Sequence, residues 1–303
     1  MDLYYFYNLV IQSDIELYGL SGYNNSNNRI PDVVVKLKDS LPQDIISKTG
    51  KGIVAEHQTN YAWFYCYAGC FIIENGCSIH VYPKDGITDN ELSGFILGWG
   101  LSFIFLEKGY TAIHSSALSF KHGVFLISGQ SGVGKSTLSS YLLKHGYKYL
   151  TDDITYVSPD TDYVVFPGIP IQKICREAAL KISEKELLIY TDSKKDKYAY
   201  KNIKDFESNP GRLKVLFLIE ISPNDSLEFI ELSGPDKLTA VLESLYMKNM
   251  FGYTHFPIEE KIRCLKIASA IKVIKIRRPA AGNTIEEICN YIQQYLEVNI
   301  CQL

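Results

Sequence analysis

The sequence predicts an α/β (α+β) protein with a smaller β-rich N-terminal portion, and three observations carry the prediction. Residues 124–137, Val-Phe-Leu-Ile-Ser-Gly-Gln-Ser-Gly-Val-Gly-Lys-Ser-Thr, pass from a short apolar run through a Gly-rich turn into a segment with helical spacing. Before residue 112 the apolar runs are short and divided by turn signals, the habit of a β-rich layer. Beyond it, longer strand-like and helix-like segments follow one another, the pattern of a layered sheet with helices. Domains are therefore expected at 1–111 and 112–303.

In the first domain, strands are expected at Tyr5 to Ile11, Val33 to Leu37, Ala62 to Tyr67, Cys70 to Ile73 and Ser78 to Tyr82. Turn signals at 24–28, 50–52, Asn75-Gly76 and 84–86 separate them, and Asn-Gly between two apolar runs is a two-residue hairpin signal. Leu92 to Leu106 reads as a mostly apolar helix, broken or closely packed at Gly94, Gly98 and Gly100. It is shorter than the ~20 apolar residues that cross a bilayer, so it is expected to be buried in protein.

In the second domain the expected order is strand, turn, strand, Gly-rich loop and the helix Ser136 to Lys144, with Gly146 as its stop. Strands follow at 147–150, 154–157 and 164–166, then the rigid turn Pro167-Gly168-Ile169-Pro170. Glu177 to Leu188 reads as a helix, 194–201 as a polar stretch, Val215 to Ile221 as a buried strand and Lys237 to Met250 as a helix. The strand Ile271 to Ile276 and a helix over 284–297 complete the chain.

Composition narrows the function classes. With 303 residues, 46% hydrophobic and 21% charged, the chain can bury a sizeable core. A formal net charge of −3 supplies no basic footprint for nucleic acid, which is not expected as a partner. The first residues lack the basic head and apolar body of a signal peptide, so a cytoplasmic protein without a membrane partner is expected. Seven cysteines form neither a CxxC nor a Cys/His cluster at zinc spacing and read as reduced thiols. The 22 tyrosines are scattered along the chain, as packing residues with a wet hydroxyl end are.

The loop carries the chemistry. Gly129, Gln130, Ser131, Gly132, Val133, Gly134, Lys135, Ser136 and Thr137 match GxxxxGK[ST] in full, between a strand and a helix as the motif requires. Glycines at 129, 132 and 134 admit positive φ, so successive N–H groups can turn inward as a nest for an anion, reinforced by the helix N-terminus. Lys135 is expected to neutralise the β- and γ-phosphates of a nucleoside triphosphate, and the Ser136 hydroxyl to ligate Mg²⁺. ATP and Mg²⁺ are the cofactors implied. The bland reading is a Gly-rich turn without a ligand.

Seventeen residues beyond Lys135 stands Thr151-Asp152-Asp153, at the end of an expected strand. Carboxylates there lie in the crevice where open α/β sheets bind ligands. Because successive strand side chains face opposite ways, Asp152 and Asp153 are expected to differ in role, one toward phosphate and metal, the other orienting a hydroxyl or His. A solvated turn is the competing reading. His114 falls on the expected strand before the loop hairpin, where a lone histidine is commonly a plain packing residue.

Together, Ile113-His114-Ser115-Ser116-Ala117, the loop 129–137 and Gly146-Tyr-Lys-Tyr-Leu-Thr-Asp152-Asp153 resemble the catalytic core of the HPr kinase/phosphorylase family, whose fold is related to the phosphoenolpyruvate carboxykinases. The Glu-x-Arg-Gly-x-Gly signature of the bacterial HPr kinases is missing, and Phe166-Pro-Gly-Ile-Pro170 occupies its place. That turn, with Tyr7-Asn8-Leu9-Val10 and Asp14-Ile15-Glu16-Leu17, is more similar to HPr-kinase-like serine kinases of lasso-peptide clusters. The resemblance implies Asp152 as acceptor of the substrate proton, Asp153 beside Ser136 at Mg²⁺, and His114 holding the acidic pair. It also implies a peptide or small protein bearing Ser or Thr as partner, and it is compatible with a homo-oligomer. Two alternatives stay open: a small-metabolite kinase of the same fold, or a nucleotide-dependent switch using Arg212 or Arg277-Arg278. Residues 194–197, Lys-Lys-Asp-Lys, are a solvated loop or a lid.

Overall fold

The structure is a computed structural model describing residues 2–20, 22, 29–175, 187–192, 197–248 and 257–299. The chain divides into two compact units, 1–110 with 174–201, and 111–173 with 202–303.

The first unit begins with β1 (Asp2–Phe6) and β2 (Leu9–Ser13), an antiparallel pair where one strand is expected. Tyr7 and Asn8 take φ values of 47° and 65° and turn the chain between them. There follow β3 (Val33–Leu37), α1 (Gln43–Gly50), β4 (Ala55–Gln58), β5 (Tyr61–Tyr65), β6 (Gly69–Glu74) and β7 (Ser78–Pro83). Asn75 and Gly76, at φ 54° and 58°, close the expected β6–β7 hairpin. These strands form one sheet in the order β1-β2-β3-β7-β6-β5-β4. The expected apolar helix is α2 (Asp89–Phe95), a π-turn over Ile96–Gly100, and α3 (Leu101–Glu107). Thr88 and Glu91 cap its start reciprocally. Its face meets the sheet through Phe95 and Phe103 against Phe64, whose ring stacks on Phe71 at 4.7 Å. At Gly100 a Cβ would come 3.1 Å from Ile79, so the bare glycine lets the π-turn approach β7.

The second unit opens with β8 (Thr111–Ile113), β9 (Ser115–Phe120), β10 (Gly123–Gly129), α4 (Lys135–Lys144), β11 (Lys148–Thr151), β12 (Thr155–Val157) and β13 (Val164–Val165). The strand β14 (Ile171–Cys175) leaves the second unit after Lys173, and β15 (Leu187–Asp192) and β16 (Lys197–Lys201), which belong to the first unit, pair antiparallel. The helix expected over 177–188 lies mostly outside the described residues, and Leu187 and Leu188 open β15. Residues 194–196 also lie outside them, whereas Lys197 begins β16. The chain continues with β17 (Gly211–Ile221), β18 (Glu228–Glu231), α5 (Gly234–Glu243), α6 (Ile258–Ala270), β19 (Lys272–Arg278) and α7 (Ile285–Asn299). The expected helix 237–250 is therefore shifted and shorter, with residues 249 and 250 outside the described set.

The main ladder runs β11-β9-β10-β17-β19-β18, and β13-β12-β8 continues from the start of β17. β10, β17 and β19 are mutually parallel. β9 is antiparallel to both β10 and β11, so β11 runs with the parallel set. Phe125, Ile127, Val215, Phe217, Ile219, Ile274 and Ile276 bury one face of the sheet under α4 and α7. A strand covered on both faces reads as a continuous apolar run, as 124–127 does. The carboxyl ends of β10, β11, β17 and β19 share one edge of the sheet.

Candidate functional site

At that edge the Gly-rich loop follows β10. Gly129 has φ +145°, and a Cβ there would lie 2.4 Å from the carbonyl oxygen of Ile219 on β17. Only glycine lets the loop leave the sheet at this point. Gly132 and Gly134 have φ of +85° and +105°, and Gly134 is the N-cap of α4. Val133 is buried and anchors the loop in the core below α4, while Gln130, Ser131, Ser136 and Thr137 are exposed. The Lys135 ammonium folds back over the loop, donating to the carbonyls of Gly129 at 2.7 Å and Gln130 at 3.0 Å. From β19, Arg278 donates through Nη1 to the Val133 carbonyl at 3.2 Å.

The second cluster forms where two strands break together. Ala117 pairs with Thr151 and Ile113 with Thr155, so residues 114–116 stand opposite 152–154 without regular ladder pairing. The break comes from Asp153, whose φ is +74°, with the Ile154 N–H donating to the Asp152 carbonyl at 3.0 Å. This is a γ-turn with a left-handed central residue, a rare and strained form that here turns two consecutive carboxylates out of strand geometry. His114 is not on a strand, as expected from sequence, but in this break between β8 and β9. Its N–H donates to the Ser244 carbonyl at 2.8 Å, and its carbonyl accepts from the Ser128 hydroxyl at 2.9 Å, one residue before the loop.

The two aspartates have different surroundings. Asp152 accepts from the Ser116 hydroxyl at 3.0 Å through Oδ1 and from the Lys173 N–H at 2.8 Å through Oδ2. Desolvation, with the Asp153 charge adding to it, lifts the Asp152 carboxyl above its usual range, although the Lys173 N–H and the Ser116 hydroxyl pull the other way. Asp153 receives the Lys173 ammonium at 2.7 Å on Oδ2, and His114 Nδ1 lies 3.6 Å from its Oδ1. Behind them Ser115, Thr155 and Thr151 form a buried hydroxyl chain, at 2.9 and 2.7 Å.

Of the sequence candidates, Asp152, Asp153 and His114 meet in this break, and residues 129–137 form the loop on β10. Strand pairing puts both on the same sheet edge, two strand spacings apart, or ~10 Å. The resemblance gave the holding of the acidic pair to His114. Lys173 bonds both carboxylates, its N–H to Asp152 and its ammonium to Asp153, and His114 Nδ1 lies 3.6 Å from Asp153. Lys173 was not singled out from sequence; its signal is the Pro167–Pro170 turn, whose Gly168 N–H bonds the Leu150 carbonyl at 2.8 Å and returns the chain to β11.

No group of three or more His, Cys, Asp or Glu side chains suited to a metal exists among the described residues. Magnesium does not require one, since it is commonly held by one or two carboxylates with waters and substrate phosphates. The Ser136 hydroxyl and the Asp153 carboxylate are hard oxygen donors of that kind. The five described free cysteines, Cys66, Cys70, Cys77, Cys264 and Cys289, form no disulfide.

No family model matches the chain, and no curated protein matches it. Among solved structures, the chain is similar to the Hpr(Ser) kinase/phosphatase from Coxiella burnetii, at 12% identity and a TM-score of 0.33, over 61% of this chain and 95% of that one.

Proposed function

We propose that the protein is an ATP-dependent phosphotransferase of the HPr-kinase-like kind, moving the γ-phosphate to a serine or threonine hydroxyl of a peptide or small protein. A lasso-type precursor peptide is the acceptor we propose. The observation that carries the reading is the shared sheet edge: a glycine-shaped loop on β10 and, after β11, a strained acidic pair whose Asp152 is desolvated.

In this reading the inward amides of residues 129–136 hold the triphosphate and Lys135 moves from its loop carbonyls onto the β- and γ-phosphates. Ser136 and Asp153 would hold Mg²⁺, which supplies neutralisation of phosphate charge when bound with the nucleotide. Asp152 takes the proton of the acceptor hydroxyl as its oxygen bonds to phosphorus and the bond to the ADP oxygen breaks. An ordinary aspartate is a feeble base. Desolvation strengthens Asp152 in that role, and the Ser116 and Lys173 hydrogen bonds fix its orientation.

The test is incubation with γ-labelled ATP and a serine-containing peptide. Label is expected on the peptide, and Asp152→Asn should slow transfer by roughly 10²- to 10⁴-fold with nucleotide binding nearly intact. Release of free phosphate alone would favour a nucleotide switch, and label on a small hydroxyl compound alone would favour a metabolite kinase.

A further inference from the structure

Arg277 and Arg278 are neighbours at the carboxyl end of β19, and their side chains leave the strand in opposite directions. Arg277 is paired with Glu220 at 3.9 Å and Glu228 at 3.4 Å. Arg278 has no carboxylate partner among the described residues; its guanidinium goes to the loop, bonding the Val133 carbonyl at 3.2 Å. The same Nη1 would stand 3.7 Å from a Cβ placed on Gly134. The contact joins residues 145 positions apart.

The Val133 carbonyl and the Gly134 N–H belong to one planar trans peptide, so they point in opposite directions. Holding the carbonyl toward β19 therefore aims the Gly134 N–H away from β19. Gly134, at φ +105°, is a residue at which that plane could otherwise rotate at little steric cost. A rotated plane would present a carbonyl dipole where the nest needs a donor.

We propose that Arg278 is a positioning residue that latches the Val133–Gly134 peptide plane with its N–H toward the phosphates of the nucleotide. The guanidinium acts through this plane and does not itself contact the terminal phosphate. The inference rests on the nucleotide reading above and adds a residue that the GxxxxGK[ST] pattern does not contain.

The experiment is calorimetric titration of the full chain with Mg·ATP and Mg·ADP, for wild type, Arg278→Ala and Arg278→Lys, with the Gly134 amide followed by ¹⁵N NMR. Loss of one aligned hydrogen bond to a charged phosphate corresponds to roughly ten- to a hundredfold weaker binding. Arg278→Ala should weaken ATP and ADP alike within that range, Arg278→Lys should restore most of the affinity, and the Gly134 resonance should shift with nucleotide in wild type but not in the alanine variant. Lysine keeps a donor, so it remains decisive if the alanine variant fails to fold. Unchanged affinity in Arg278→Ala, or a loss confined to ATP, would overturn the latch while leaving nucleotide binding intact. Absence of binding by wild type would overturn the nucleotide reading and the latch with it.

Discussion

Asp152 sits where a carboxylate is costly to ionise, and this has a consequence for stability. Its native pKa is raised by desolvation above the unfolded value, so the folded chain binds that proton more tightly. This contribution to stability is present below the unfolded pKa, is lost as pH rises toward the raised native value, and stays lost above it. Asp152→Asn, whose amide oxygen can accept from the Lys173 N–H while its NH2 donates to the Ser116 hydroxyl, should therefore resist urea better than wild type at neutral pH. The difference should shrink toward about pH 4. Parallel pH profiles for the two proteins would contradict this. Asp153 offers a second check through its φ of +74°. Both Asp153→Gly and Asp153→Ala remove the carboxylate, but glycine should be the more stable by about 1–2 kcal/mol, since only alanine retains the left-handed cost. Equal unfolding midpoints would show the turn relaxing when the carboxylate is lost.

Among the elements, the β1–β2 turn gives the simplest test, because Asn8 holds φ 65° at its second central position. Asn8→Gly should be neutral or stabilising, whereas Asn8→Val should cost about 1–2 kcal/mol in chemical denaturation. The same turn marks what sequence reading can and cannot reach. Asn75-Gly76 announces its hairpin by residue type; Tyr7-Asn8 does so only weakly, and the surrounding apolar residues read as one strand. The Gly-rich turn between strand and helix and the Asp-Asp pair at a strand end were legible because residue type and spacing announce both in the sequence. The break at His114 was not, because it depends on the backbone of Asp153, on a different segment. Helix α6 escaped for another reason: a charged residue shares its buried face. Glu260, 1% exposed and ion-paired with Arg263 at 2.5 Å, lines that face with Cys264, Ile267 and Ala268, while Ile258 and Leu265 are 61% and 50% exposed. Apolar residues on both faces and a carboxylate on the inner one blur the hydrophobic period. Lys173 lay beyond reach because its partners are about 20 residues away, across a turn.

For the molecule as a whole, the two units are interleaved in sequence, with 174–201 belonging to the first and both flanking segments to the second. The first unit therefore assembles from segments far apart in the chain, at a loop-closure cost that grows only slowly with separation. Among the described residues no helix is long and apolar enough to cross a membrane. If the second unit carries a nucleotide site, Mg·ATP must stabilise it by mass action, by ~2.7 kcal/mol at a hundred times Kd. A thermal scan with and without Mg·ATP should show that shift in wild type and lose it in Lys135→Ala. The most direct test of the account is calorimetric titration of Mg·ATP into wild type, Lys135→Ala and Asp152→Asn. Binding by wild type and Asp152→Asn, with loss in Lys135→Ala, is the predicted result. No heat with wild type, or equal loss in both variants, would contradict a loop that binds and an acidic pair that reacts.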